Sequence, residues 1–259
     1  MTIINNFIEN LPQILLSLPI VLIALSFHEL AHGFVAMKLG DNTAKNLGRL
    51  TMNPLKHIDI IGFISMVLFH FGWAKPVPIQ SRNFKKPRRD MALTGLAGPV
   101  SNIILAIISV LLLRLVMLIM GVAMPNEINL CIKAALFLGS FSSISASVPF
   151  IIMSIISYML YLGVILNLSL ALFNLIPIPP LDGSRIFYVF LPANLYFGIM
   201  KYEQYISMAM FLLLMFTDIV TYPLSIAIDW LANGLCTLTA MPLAELYGVR
   251  SFVSSNLFG

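Results

Sequence analysis

The sequence predicts an all-α, polytopic membrane protein with four secure spanning helices and two shorter membrane-embedded segments, four to six transmembrane helices in all. Three observations lead there. Of 259 residues, 59% are hydrophobic and only 10% charged, where ordinary soluble domains carry roughly 25% charged residues. The mean hydropathy is +0.94. The apolar residues gather in four runs, 11–39, 91–120, 148–176 and 205–230, each long enough to cross a bilayer that needs about 20 residues.

Each element has its own punctuation. The run 11–39 stops at Gly40-Asp41-Asn42, a good helix end, and a polar segment with Lys45, Arg49 and Lys56 follows. The next apolar run, 58–71, is interrupted by Gly62 and bounded by Gly72. It is too short to span, and both of its flanks are basic, which disfavours a crossing under the bias of Lys and Arg towards the cytoplasm. It is therefore expected to be re-entrant or to lie in the membrane plane. Residues 73–90 carry Lys75, Arg82, Lys85, Lys86, Arg88 and Arg89 with three prolines. In the run 91–120, Arg114 stands near the far end, where its side chain can snorkel to the interface. The serine-rich, mixed segment 125–147 is not expected to be a full span. The run 148–176 leads into Pro177-Ile-Pro-Pro-Leu-Asp-Gly183, and 205–230 contains Asp218, Pro223 and Asp229.

Other classes are excluded by composition. The formal charge of +4 is small and concentrated in the polar segments, which bears on membrane orientation and not on nucleic-acid binding. Cys131 and Cys236 are far apart and outside any CxxC pattern, so neither a disulfide framework nor thiolate zinc ligation is expected. Residues 1–13 lack the basic start and small-residue cleavage site of a signal peptide, so the first helix is expected to stay. No internal repeat is visible, and the chain reads as a single domain over 1–259.

The chemistry is concentrated in His28-Glu-Leu-Ala-His32, inside the first apolar run. Two histidines four apart share one helix face and can both reach a tetrahedral zinc ion. Zinc lowers the pKa of a bound water towards about 7, and an adjacent glutamate can take its proton as it attacks a carbonyl. The pattern can occur by chance on a soluble helix. Here, though, His28, Glu29 and His32 would otherwise stand as unpaired polar groups in hydrocarbon, at a cost of several kcal/mol. A third ligand must come from elsewhere. His57 and His70 qualify by residue type, but His57 lies in a polar loop suited to a structural hydrogen bond and His70 reads as interfacial. Asp182 is better placed, just past a membrane helix that three prolines break; its alternative role is a helix N-cap.

His28-Glu-Leu-Ala-His32 together with Asn174-Leu-Ile-Pro-Ile-Pro-Pro-Leu-Asp-Gly183 resembles the site-2 protease family of intramembrane zinc metalloproteases, and Ala97-Gly-Pro-Val-Ser-Asn102 resembles that family's Gly-Pro helix start. The resemblance covers residues 20–190. It implies zinc, one ion per chain, on His28, His32 and Asp182, with Glu29 as catalytic base. It implies that Asn174 and Asn102 position substrate, though an inter-helix hydrogen bond is the alternative for each. It further implies a catalytic core over 11–190 followed by a C-terminal helix and tail, 205–259. No PDZ-like insertion lies between the motifs, which matches the compact, PDZ-less branch.

The expected activity is therefore endopeptidase hydrolysis in or near a transmembrane segment of a protein or peptide substrate. A multi-pass protein of a prokaryotic plasma membrane is expected, with its site towards the cytoplasmic leaflet and the lipid bilayer as its other partner. Two rivals exist. A non-proteolytic protein of the same fold would not need the base Glu29. A metal or solute transporter usually shows two related halves, and none are visible.

Overall fold

The computed structural model describes residues 2–60, 62, 75–123, 148–217 and 219–238. Among them the regular structure is entirely helical. In chain order the helices are α1 (Thr2–Lys38), α2 (Thr43–Asn46), α3 (Pro87–Ala123), α4 (Val148–Asn174), α5 (Asp182–Phe187), α6 (Ala193–Phe216) and α7 (Thr221–Leu238), with short 3-10 turns at Pro54–Lys56, Ser81–Asn83 and Tyr188–Phe190. Three stretches are long and apolar enough to cross a membrane: Ile14–Lys38, Pro87–Ile119 and Ile151–Asn174. In lipid every backbone polar group must be satisfied internally, which a continuous helix does except where Pro19 in α1 and Pro99 in α3 lack an N–H.

The fourth expected run, 205–230, is not one helix. α6 ends at Phe216, Thr217 is extended, and α7 begins at Thr221. The cause is local. Pro223 supplies no N–H and is tolerated in the first turn of a helix, so a new helix starts there in preference to the old one continuing. The β-branched residues Thr217, Ile219, Val220 and Thr221 in front of it weaken helix propagation. The expectations for 125–147 and for nearly all of 58–71 fall outside the described residues. Gly62 is helical, and its N–H donates to the Asp59 carboxylate at 2.9 Å.

The chain forms two compact units. One comprises residues 1–21, 105–166 and 229–259; the other comprises 22–104 and 167–228. In the first, Tyr158 and Leu162 pack with Leu16, Tyr161 and Leu166, and Leu113 packs with Met117, Leu160 and Tyr161. Gly163 sits so close to Ser109 that a methyl there would lie 2.7 Å from the hydroxyl oxygen. Small residues allowing close helix approach are the usual device where lipid removes the hydrophobic drive between helices.

The second unit has a much more polar interior. His28, His32, Asp41, His57, Asp90, Thr94, Asn102 and Asp182 are all buried in it. Gly33 admits Leu50, Val77 and Ala44 against α1, and Gly183 stands where a methyl would meet the Leu175 carbonyl oxygen at 2.3 Å. A buried polar cluster of this size must be held by specific partners, and those partners define the site.

Candidate metal centre

α1 delivers His28 and His32 one turn apart, with their rings edge to face at 4.6 Å. After α4 the chain turns through the Pro177–Pro180 stretch, and Asp182 opens α5 beside them. The Asp182 Oδ2 atom lies 3.1 Å from His28 Nε2 and 3.0 Å from His32 Nε2, and the two Nε2 atoms are 3.0 Å apart. All three residues are buried. Asp182 therefore joins the histidines, and the N-cap alternative fails, since Leu181 and not Asp182 precedes the helix.

The donor set fits a metal. His32 donates its Nδ1–H to the Thr94 carbonyl at 2.7 Å, which leaves a lone pair on Nε2 in the neutral ring. That lone pair meets the carboxylate oxygen and the other imidazole nitrogen in a nearly equilateral triangle. For zinc–nitrogen bonds of about 2.0 Å, the edge of a tetrahedron is about 3.3 Å. A triangle of 3.0–3.1 Å edges is close to one face of it. A second fit comes from Gly98: a methyl added there would lie 2.4 Å from His32 Nε2 and 2.6 Å from His28 Nε2. The α3 backbone thus forms one wall of the cradle, and only glycine leaves the space open.

The supporting groups are mostly backbone. The Thr94 carbonyl orients His32, and Thr94 itself bonds the Asp90 carbonyl through Oγ1 at 2.7 Å. Such outer partners fix the ligand tautomer. Glu29 follows His28 on α1, and its Oε2 accepts the Val77 N–H at 2.8 Å. Val77 belongs to a non-helical strap, Lys75–Gln80, tied down at both ends. The Lys75 N–H donates to the His57 carbonyl at 2.7 Å, Arg49 donates to the Lys75 carbonyl at 2.8 Å, and the Gln80 N–H donates to Asp41 Oδ2 at 2.7 Å. Burial alone would raise the Asp41 pKa. Hydrogen bonds from Thr43, Asn83 and Gln80 outweigh that and hold its carboxyl below the usual carboxylate range.

The remaining expected residues are placed as follows. His57 is buried, and its Nε2 bonds the Thr51 carbonyl at 2.8 Å, a structural role in the loop. His70 falls outside the described residues. Asn174 donates its amide to the Leu170 carbonyl of its own helix at 2.9 Å. Asn102 is fully buried one turn beyond Gly98, and its Nδ2 has no partner among the described residues. Val77, Thr94, Arg49 and Asp41 carry no sequence signal of a site role, although Pro76 and Pro78 isolate the Val77 N–H on the strap.

Depth follows from the same contacts. His32 lies six residues before the end of α1 and Thr94 seven after the start of α3. At 1.5 Å per residue, both stand about 10 Å from their helix ends. The end of α1 and the start of α3 are therefore level, with the centre below them.

The family model for peptidase family M50 matches residues 17–217. The chain is 38% identical over 204 residues to "Putative zinc metalloprotease YwhC" of Bacillus subtilis, covering 79% of this chain and 81% of that one. It is 30% identical over 91 residues to "Putative zinc metalloprotease Rip2" of Mycolicibacterium smegmatis, covering 34% and 35% of the two chains. No solved structure matches it. The motifs, the apolar helices and these relatives agree: the chain belongs to peptidase family M50, the site-2 proteases, and is a membrane metalloprotease.

Proposed function

We propose that the protein is an intramembrane zinc endopeptidase that hydrolyses peptide bonds in or near transmembrane segments of other membrane proteins. The observation that carries this reading is the triangle of His28, His32 and Asp182, about 10 Å beneath the level ends of α1 and α3. Zinc on those three residues would act as a Lewis acid and acidify water.

The chain's own groups do the rest. Glu29, one residue from His28, takes a proton from the attacking water and returns it to the leaving amine nitrogen, the ordinary exchange of a general base and acid. The Val77 N–H holds Oε2, which leaves Oε1 to carry the proton. Asn102, one turn beyond Gly98 on α3, offers a buried Nδ2 with no partner among the described residues, suited to a substrate carbonyl. Asn174, at the end of α4, can exchange its bond to Leu170 for one to substrate. The substrate must present an extended stretch, because a helical amide is shielded and its carbonyl already bonded. From Lys38 to Arg89 the sequence holds ten Lys and Arg residues against two aspartates, Asp41 and Asp59. That bias supports a centre towards the cytoplasmic leaflet of a plasma membrane.

Glu29→Gln tests the reading. The variant keeps about one zinc per chain and loses cleavage of a transmembrane substrate by about 10²-fold or more. A variant that still cleaves at the wild-type rate would remove Glu29 from the base role.

A further inference from the structure

We propose that the start of α3 is a binding site for anionic phospholipid, with the headgroup on the cations of 82–89 and an acyl chain along one exposed stripe of the helix. Between Asp59 and Asp90 the sequence has no acidic residue, yet Arg82, Lys85, Lys86, Arg88 and Arg89 stand within eight positions. All five are exposed. The nearest carboxylate, Asp90, is buried and already engaged by the Lys86 N–H at 2.9 Å and by Arg89 at 2.8 Å. It offsets one of the five positive charges, and the Arg89 guanidinium retains further donors in a fixed fork.

The second observation lies below the cations. Arg89, Leu93, Leu96, Val100 and Ile103 follow the 4-3-4-3 spacing that keeps residues on one helix face. Every one of them is exposed. The apolar part of this stripe begins at Leu93, one turn after Arg89, a rise of about 6 Å. The headgroup layer of each leaflet is about 5–8 Å thick. The cations thus sit at phosphate level when Leu93 sits at the hydrocarbon edge. A negative headgroup above a chain-length apolar stripe is the shape of a phospholipid, and juxtamembrane Lys and Arg clusters draw anionic lipids. A free phosphate would satisfy the cations and leave the stripe unused. The patch follows directly in sequence on the strap Lys75–Gln80, whose Val77 N–H bonds Glu29.

The test is a lipid competition. The wild-type protein in mixed micelles with equal dioleoyl phosphatidylglycerol and dioleoyl phosphatidylcholine is analysed by native mass spectrometry. The protein should retain phosphatidylglycerol in clear excess; equal retention of the two lipids would overturn the proposal without any variant. Arg82→Gln/Lys85→Gln/Lys86→Gln, which spares Arg89 and Asp90, should lower the preference about fivefold per charge removed. Lys45→Gln/Lys56→Gln removes exposed cations away from α3 and should leave the preference unchanged. An equal loss in both variants would show diffuse surface charge and overturn the site.

Discussion

Gly98 shows how a residue without a side chain can decide a metal centre. A methyl at this position would stand 2.4 Å from His32 Nε2, well inside any real contact, and the obstructed atom belongs to a proposed zinc ligand whose ring is held from behind by the Thr94 carbonyl. The imidazole cannot retreat without breaking that bond, so Gly98→Ala should lose most of its zinc while keeping its helix content. Gly234 gives the control. It lies in α7 with nothing within 4 Å of an added methyl, and Gly234→Ala should leave zinc content unchanged and gain up to about 1 kcal/mol of helix stability. Metal analysis beside circular dichroism checks both; full zinc in the Gly98 variant would show that α3 is not a wall of the site. At this scale the proposed ligands are legible in the sequence and their supports are not. His28, Glu29 and His32 announce themselves by spacing on one helix, and Asp182 by its place after a broken membrane helix. Thr94 and Val77 contribute only backbone groups, which every residue has, so no side-chain pattern can mark them.

Among the elements, the strap Lys75–Gln80 has the least regular structure and the most specific anchoring. Its prolines remove two of its N–H donors, and three of those remaining, at Lys75, Val77 and Gln80, are taken up by His57, Glu29 and Asp41. Asp41 secures the far end, with Asn83 also donating to its Oδ1 at 2.7 Å. Because its pKa is lowered by folding, its bonds stabilise fully above the unfolded value of about 3.9 and are lost as pH falls through the lower folded value. Protection of the Gln80 amide from hydrogen exchange, corrected for intrinsic rate, should hold from neutral pH down to about 4 and fall below it. Asp41→Ala should abolish that protection at neutral pH and cost about 2 kcal/mol. Loss of protection near pH 6 would assign the anchor to another group. The helices themselves follow from sequence where apolar length is unambiguous, as in α1, α3 and α4. The run 205–230 reads as one span by hydropathy, yet Pro223 and the β-branched residues before it divide it. Apolar length measures what lipid will accept, and backbone continuity is a separate matter.

For the whole molecule, the proposed zinc centre would couple metal binding to the assembly of the fold. Two imidazole nitrogens and a carboxylate oxygen meet at 3.0–3.1 Å, and all three residues are buried. Three segments distant in sequence meet there, α1 through the histidines, α3 through Thr94 and Gly98, and α5 through Asp182. A cation that binds only when all three are in place stabilises the assembled fold by linkage, about 2.7 kcal/mol at a hundredfold excess over its dissociation constant. Zinc removal by a chelator should therefore lower the thermal midpoint of the detergent-solubilised protein, and added zinc should restore it. His32→Ala should start at the lower midpoint and respond to neither treatment, since one vertex of the triangle is gone. A wild-type midpoint indifferent to chelator, with zinc loss verified by metal analysis, would mean the three segments are held by their helices alone and the metal serves only the chemistry.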